Sequence, residues 1–316
     1  MKLPAMIHVD LDSLRTIAEF FGARADDGAR LIHTVAVPRF LKLFRAQEIK
    51  ATFFVVGRDL SDETTVATLR QVLAEGHEVA NHTMNHPFRM RGLPREQKAR
   101  EIRDGHNVLL DRLGVEAVGF RAPGYDVDEE MLEILHERGY LYDSSLFPSF
   151  LVPVIKAYTI MIQRSRLGHA LDGYGKFIYG FGPIAPYRPR SGALEARGEM
   201  FLVEIPVSMM PFLRVPLHST TLFATSPGLV RLGNWLLSLG GIPYTFLLHG
   251  VDLLDFEDDR VPDGLRVCPT FRKRLREKLE LLEGLLRELT ATRAVILSAD
   301  YARLYLQGAY SKEAVQ

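Results

Sequence analysis

The chain has 316 residues, with 39 Lys and Arg against 39 Asp and Glu, 47% hydrophobic residues, 25 Gly, 17 Pro and a single Cys. That length suits one large barrel domain or two ordinary ones with an ample core. The balanced charge excludes a nucleic-acid binder working through bulk charge, so no nucleic-acid partner is expected. The lone Cys268 excludes an intramolecular disulfide and a cysteine-based zinc site.

Met1 to Asp12 lacks the long apolar core and small-residue cleavage site of a secretory signal, so the expected location is the cytoplasm or the cytoplasmic face of a membrane. The first predicted strand is Met6–Leu11. Its alternation puts Ile7, Val9 and Leu11 on one face and His8, Asp10 and Asp12 on the other. Two carboxylates thus converge at a strand's C-terminal end, where parallel barrels build their active sites. A single Asp there more often closes a turn; two on one face beside a histidine weaken that reading. Pro38 opens a helix at Arg39–Gln47, Ala51–Val56 is the second strand, and Gly76 ends the helix Thr65–Glu75. The third strand, His77–Asn81, runs into Asn81-His82-Thr83-Met84-Asn85-His86. Two imidazoles four residues apart can chelate one divalent cation. Joined with the aspartates they form a His-His-Asp set that leaves a ligand position for water.

The fourth strand, Ala117–Phe120, leads to Arg121-Ala122-Pro123-Gly124-Tyr125. The Arg can orient a carboxylate, and the Pro-Gly turn exposes backbone N–H groups to an oxyanion; a surface ion pair and an ordinary turn are the bland readings. After the fifth strand, Leu141–Asp143, the alternation stops, and an insertion is predicted at about 147–198. Within it, Phe147 to Ser191 carries Lys156, Arg164, Arg166, Lys176, Arg188 and Arg190 against Asp172 alone, together with several aromatic residues. The expectation is peripheral docking on an anionic membrane through Lys156, Arg164, Arg166 and Lys176; the alternative is a loop with a private aromatic core or a dimer contact. Met200–Ile205, Tyr244–Leu248 and Ala294–Leu297 complete eight strands. His249, just past the seventh, can protonate a leaving group or sit in the core. A last helix places Phe271, Leu275, Leu279, Leu282, Leu286 and Leu289 on one stripe. The longest apolar stretch, Leu146 to Ile162, falls short of the ~20 residues of a membrane span. Strands alternating with helices predict a single α/β domain over 1–316, an irregular (β/α) barrel of about seven or eight parallel strands.

The order of these motifs resembles the polysaccharide deacetylases of carbohydrate esterase family four, the NodB-homology domain: an aspartate pair after an apolar strand (Asp10, Asp12), H-[ST]-x-x-H (His82 to His86), an Arg-Pro motif (Arg121 to Gly124) and an apolar run ending in His (Leu247-Leu248-His249). Ala51 to Gly57 also looks like the family's second strand. The resemblance implies one divalent metal, zinc or else cobalt or nickel, held by Asp12, His82 and His86. It implies Asp10 as general base, Arg121 as its orienting partner, Gly124 N–H as an oxyanion donor and His249 as general acid, with Tyr125 and Asp143 on the substrate side. Three departures stand out. The aspartates are spaced D-x-D, so the roles of Asp10 and Asp12 can be exchanged. Gly124 stands where a Tyr is usual, with Tyr125 next, which keeps a backbone donor and removes the side-chain contact. Asp143 is the one stand-in for the fourth motif's Asp, and it either orients His249 or closes a turn. The implied activity is removal of an acetyl or formyl group from the amide nitrogen of an amino sugar, lipid-linked or free. The rivals are a hydrolase of a ureide or cyclic imide using the same metal site, and a non-catalytic glycan- or lipid-binding barrel. Acyl group, sugar and oligomeric state stay open.

Overall fold

A computed structural model describes residues 2–23, 30–163 and 172–309 of the chain. Its strands are β1 (Pro4–Leu11), β2 (Thr52–Val55), β3 (Glu78–Asn81), β4 (Gly119–Phe120), β5 (Tyr142–Asp143), β6 (Pro189–Arg190), β7 (Ala193–Arg197), β8 (Val203–Glu204), β9 (Tyr244–His249) and β10 (Ala294–Val295). Parallel ladders run in the order β9-β1-β2-β3-β4-β5-β8, and β10 joins only the first residues of β1. Every predicted strand is present, though β8 is shorter than Met200–Ile205 and β10 shorter than Ala294–Leu297. Leu297 instead caps the last helix, so its backbone is committed to the turn. Among the described residues no ladder joins β8 to β9. The gap is bridged by Thr245 N–H donating to Ser208 Oγ at 2.8 Å and filled by Val207, Met209 and Leu247, so the barrel is irregular there.

The helices are α1 (Leu14–Phe20), α2 (Val37–Ala46), α3 (Glu63–Ala74), α4 (Arg95–Leu113), α5 (Glu129–Glu137), α6 (Val152–Gln163), α7 (Ser219–Ala224), α8 (Pro227–Leu239), α9 (Leu275–Thr292) and α10 (Ser298–Leu306). Pro38 lies in the first turn of α2, and Gly76 follows α3 at φ +78°, a conformation that glycine adopts without a Cβ penalty. Phe271 lies outside α9, in a short 3-10 turn, because Pro269 and Lys273 interrupt the helical backbone before Leu275. The rest of the stripe faces inward, with Leu282, Leu286 and Leu289 fully buried.

The period of two in β1 is realised. Ile7, Val9 and Leu11 pack outward with Phe40, Phe44 and Leu286 in the main core, while Met6 points inward to Phe54 and Tyr142. The insertion is more ordered than its composition implies, for it holds α6, a 3-10 turn at Phe177–Phe181 and the β6–β7 hairpin, with Tyr179 and Tyr187 buried. Among the described residues no helix is long and apolar enough to cross a membrane.

Candidate active site

All strand ends face one way in a parallel sheet, so the residues after β1, β3, β4 and β9 meet at one mouth. There Asp12 Oδ1 lies 3.3 Å from His82 Nε2 and 3.1 Å from His86 Nε2. One ligand atom from each of the three residues falls within 4.8 Å of the others. His86 reaches this position through a left-handed backbone at φ +54°, its N–H held by Thr83 Oγ1. His82 Nδ1 lies 2.7 Å from the Arg121 carbonyl, which can only accept; Nδ1 therefore carries a proton, and Nε2 is the ring atom turned towards Asp12. Asp12 Oδ1 and His86 Nδ1 are buried without a hydrogen-bond partner. Burial opposes the charge of Asp12, but the neighbouring histidines hold its carboxyl well below the usual range; the facing carboxylate and Asp10 raise His82 despite its burial. Electron-rich atoms aimed at one point, with a carboxylate orphaned there, are the setting for a cation, and an O,N,N donor set suits a divalent one such as zinc.

Asp10 sits beside this cluster and is bound by Arg121, whose NH1 donates to Oδ1 at 2.5 Å. Arg121 is no surface residue: it is 0% exposed and lies 4.1 Å over the Phe54 ring. Its other donors go to Ser144 O (2.8 Å), Ser144 Oγ (2.7 Å) and His8 Nδ1 (2.6 Å). Because the guanidinium only donates, His8 Nδ1 accepts and Nε2 carries the proton towards Ser298 Oγ at 2.6 Å. Burial, seconded by the charge of Arg121, holds the His8 pKa well below its usual value, so His8 is a neutral prop for the arginine.

His249 faces Asp10 across the β1–β9 ladder as its register partner. Its side chain accepts the backbone N–H of Asp252, and the Asp252 carboxylate accepts His249 N–H at 2.8 Å. One ring nitrogen is thus an acceptor, and a proton on the neutral ring belongs to the other. Gly124 has φ +58°, and the turn's own bonds use Tyr125 N and Asp126 N, leaving Gly124 N–H outside them. Tyr125 is also left-handed, at φ +60°, and two such residues in a row carry its ring to the mouth, so the side-chain contact expected to be lost is available. There burial and the charge of Asp10 push its hydroxyl well up, and the ring packs with Phe147 and Tyr174.

Asp143 does not orient His249. It is the register partner of Glu204 on β8, both fully buried, and it accepts from Ser145 Oγ at 2.5 Å while Glu204 accepts from Leu146 N at 2.9 Å. Burial raises both carboxyls, and Glu204 is raised further by the adjacent Asp143 charge. Ser145 Oγ also accepts Ala122 N–H at 2.8 Å, which ties this pair to the loop carrying Arg121. Asp143 is thus buried against Glu204 and tied to the loop that carries Arg121. Lys156 is half-buried, with Nζ donating to Gly173 O at 3.1 Å, whereas Lys176 is exposed and pairs with Glu129 at 2.5 Å. Arg164 and Arg166 lie outside the described residues. Sequence reasoning missed His218, whose Nδ1 accepts Thr220 N–H at 3.1 Å and whose ring lies 6.3 Å from Phe147. Burial and the charge of His249 lower its pKa to about 3, so it stays neutral. A His before Ser-Thr reads only as a helix cap, and no spacing in the sequence ties it to His249.

Fold and site together define a (β/α)-barrel protein with a polar, cation-ready mouth at its strand ends. Residues 24–142 match the polysaccharide deacetylase family model. Over that stretch the chain is similar to members of that family. It is 33% identical over 115 residues to the peptidoglycan-N-acetylglucosamine deacetylase of Bacillus cereus, covering 36% of this chain and 51% of that protein. It is 34% identical over 109 residues to a chitooligosaccharide deacetylase of Rhizobium leguminosarum, covering 34% and 45%. The chain thus spans about half the length of these relatives. The whole fold is similar to that of a Mycobacterium smegmatis protein assigned to the polysaccharide deacetylases (TM-score 0.62, 19% identity, 97% of this chain and 91% of that one). It is also similar to Puue allantoinase (TM-score 0.60, 16% identity, 98% and 91%).

Proposed function

We propose that the protein is a metal-dependent amide hydrolase that removes an acetyl group, or else a formyl group, from the nitrogen of an amino sugar. The observation that carries this reading is the meeting of three ligand atoms, an arginine-held aspartate and a histidine at one barrel mouth. The names of the curated relatives support an N-acetylated sugar as the substrate class. Asp12, His82 and His86 would hold the divalent ion, which supplies Lewis acidity for the acyl oxygen and lowers the pKa of a water towards ~7. Asp10 is the base: Arg121 fixes one of its oxygens, and the other is without a partner among the described residues and is free to take the attacking water's proton. The Arg121 carbonyl fixes the His82 ring, so one residue orients both a ligand and the base. Gly124 N–H is the backbone donor for the developing oxyanion, and the free ring nitrogen of His249 delivers a proton to the departing amine. Tyr125, Phe147 and Tyr174 offer the sugar ring an aromatic wall.

The test is metal analysis of the purified full chain, then acetate and formate release from acylated amino sugars, lipid-linked and free, with ureides alongside. Release from an amino sugar that is lost on chelation and restored by zinc supports the reading. Release from ureides alone, or full turnover after exhaustive chelation, overturns it.

A further inference from the structure

The loop between β8 and α7 turns tightly at Pro211-Phe212-Leu213-Arg214, below a Met209–Pro216 bridge. It is held by Arg214 N–H to Met210 O (2.9 Å) and Met210 N–H to Val215 O (2.8 Å). Phe212 sits there at φ +67° and is 89% exposed, with Leu213 60% exposed beside it. A bulky residue in the left-handed region is costly, and burial of this ring within the chain does nothing to offset that cost. The tip is nevertheless anchored: Arg214 NH1 donates to Pro148 O (3.1 Å) and Gly182 O (2.7 Å), and Ser149 Oγ donates to Arg214 O (2.7 Å). These bonds set it against the insertion's 3-10 turn, where Phe177, Ile178 and Phe181 are exposed and Phe181 stacks on Phe150 at 5.8 Å. The result is one apolar face built from two distant stretches of chain, of a kind that marks a contact surface.

We propose that this face, Phe212 and Leu213 with Phe177, Ile178 and Phe181, docks on an anionic lipid bilayer. Two observations select that occupant. Phe147 to Ser191 carries six cationic residues against one acidic residue in a chain whose total balances, so this region is the positive one. A cavity of about 190 Å³ is lined at one end by Phe177 of this face and extends past Pro153 to Tyr174 and Phe147, the aromatic wall of the proposed site. An apolar slot opening at a membrane surface suits a substrate whose sugar is joined to a hydrocarbon chain. The contact differs in emphasis from that expected on sequence: Lys156 is half-buried and bonded to Gly173 O, Lys176 stays exposed beside Phe177, and the apolar tip at 212–213 supplies the anchor. The second observation rests on the reaction proposed above, but the docking itself is measured without it.

Co-sedimentation of the full chain with vesicles of phosphatidylcholine, with and without phosphatidylglycerol, at low salt tests the face. The wild-type protein should bind the anionic vesicles and bind neutral ones more weakly. The Phe212→Ser/Leu213→Ser double variant should lose about tenfold or more in partitioning, with its melting temperature and its turnover of a short water-soluble substrate unchanged. Phe177→Ser, at a second point on the face, should weaken partitioning as well. Absent binding by the wild-type protein, or equal binding by the double variant, overturns the proposal. So does a wild-type dimer in sedimentation velocity that the double variant converts to monomer, because the face would then be covered by a second copy.

Discussion

Replacing Asp10 separates chemistry from architecture at one position. Arg121 is fully buried and Asp10 is the carboxylate it contacts directly, at 2.5 Å. In Asp10→Ala the guanidinium keeps Ser144 O, Ser144 Oγ and His8 Nδ1 but loses its counter-charge in a low-dielectric interior. Breaking a buried pair from one side costs about 3–5 kcal/mol, which for a chain of this size corresponds to roughly 5–10 °C in melting temperature. Asp10→Asn retains an oxygen for Arg121 NH1 within the same outline and should cost only about 1–2 kcal/mol. Both variants remove the base, so both should lose turnover by two orders of magnitude or more. Both should retain metal, because Asp12, His82 and His86 are untouched. The assay is thermal unfolding, metal content and initial rates on the three proteins together. Turnover preserved in Asp10→Asn would refute the base assignment. Metal lost from Asp10→Asn and kept by Asp12→Asn would exchange the two aspartates' roles, and equal stability of the two Asp10 variants would refute the buried-pair argument.

His82→Ala and His86→Ala should each lose bound metal and activity together, as measured by elemental analysis and rate; metal kept at wild-type stoichiometry would contradict the ligand set. His249→Ala should lower kcat by roughly 10²–10⁴ with metal content and KM little changed, and an unchanged kcat would return this histidine to a purely structural part. His77, away from the site, accepts Ala51 N–H at 3.0 Å, and burial lowers its pKa to about 4. Its native state stays neutral while the unfolded chain protonates near 6.5, so stability should fall as pH drops from about 6.5 to 4, by about 3 kcal/mol from this residue. His77→Gln, followed by urea unfolding across that range, should flatten the slope, and an identical slope would refute the assignment.

The eight strand positions, the inward face of β1 and the four strand-end motifs were legible in the sequence because they depend on local rules: alternation with period two, punctuation by Pro and Gly, and the convergence of strand ends that any parallel barrel imposes. The convergence of Asp10 and Asp12 with His82 and His86 followed from those rules, whereas the choice of Asp12 as the ligand came from the family resemblance. What required the tertiary structure were contacts between residues far apart in the chain, for which no local pattern exists. His8 reads as a third residue on a face until Arg121, 113 positions away, is found against its Nδ1. Asp143 reads as a partner for His249 until the β5–β8 register sets it against Glu204. Lys156 and Lys176 read alike by composition, but only the tertiary structure shows that Lys156 is half-buried against Gly173 O while Lys176 stays exposed beside Glu129. Phe212 and Leu213 carry no signal in the sequence, since an exposed apolar pair is defined only by what the rest of the chain leaves uncovered.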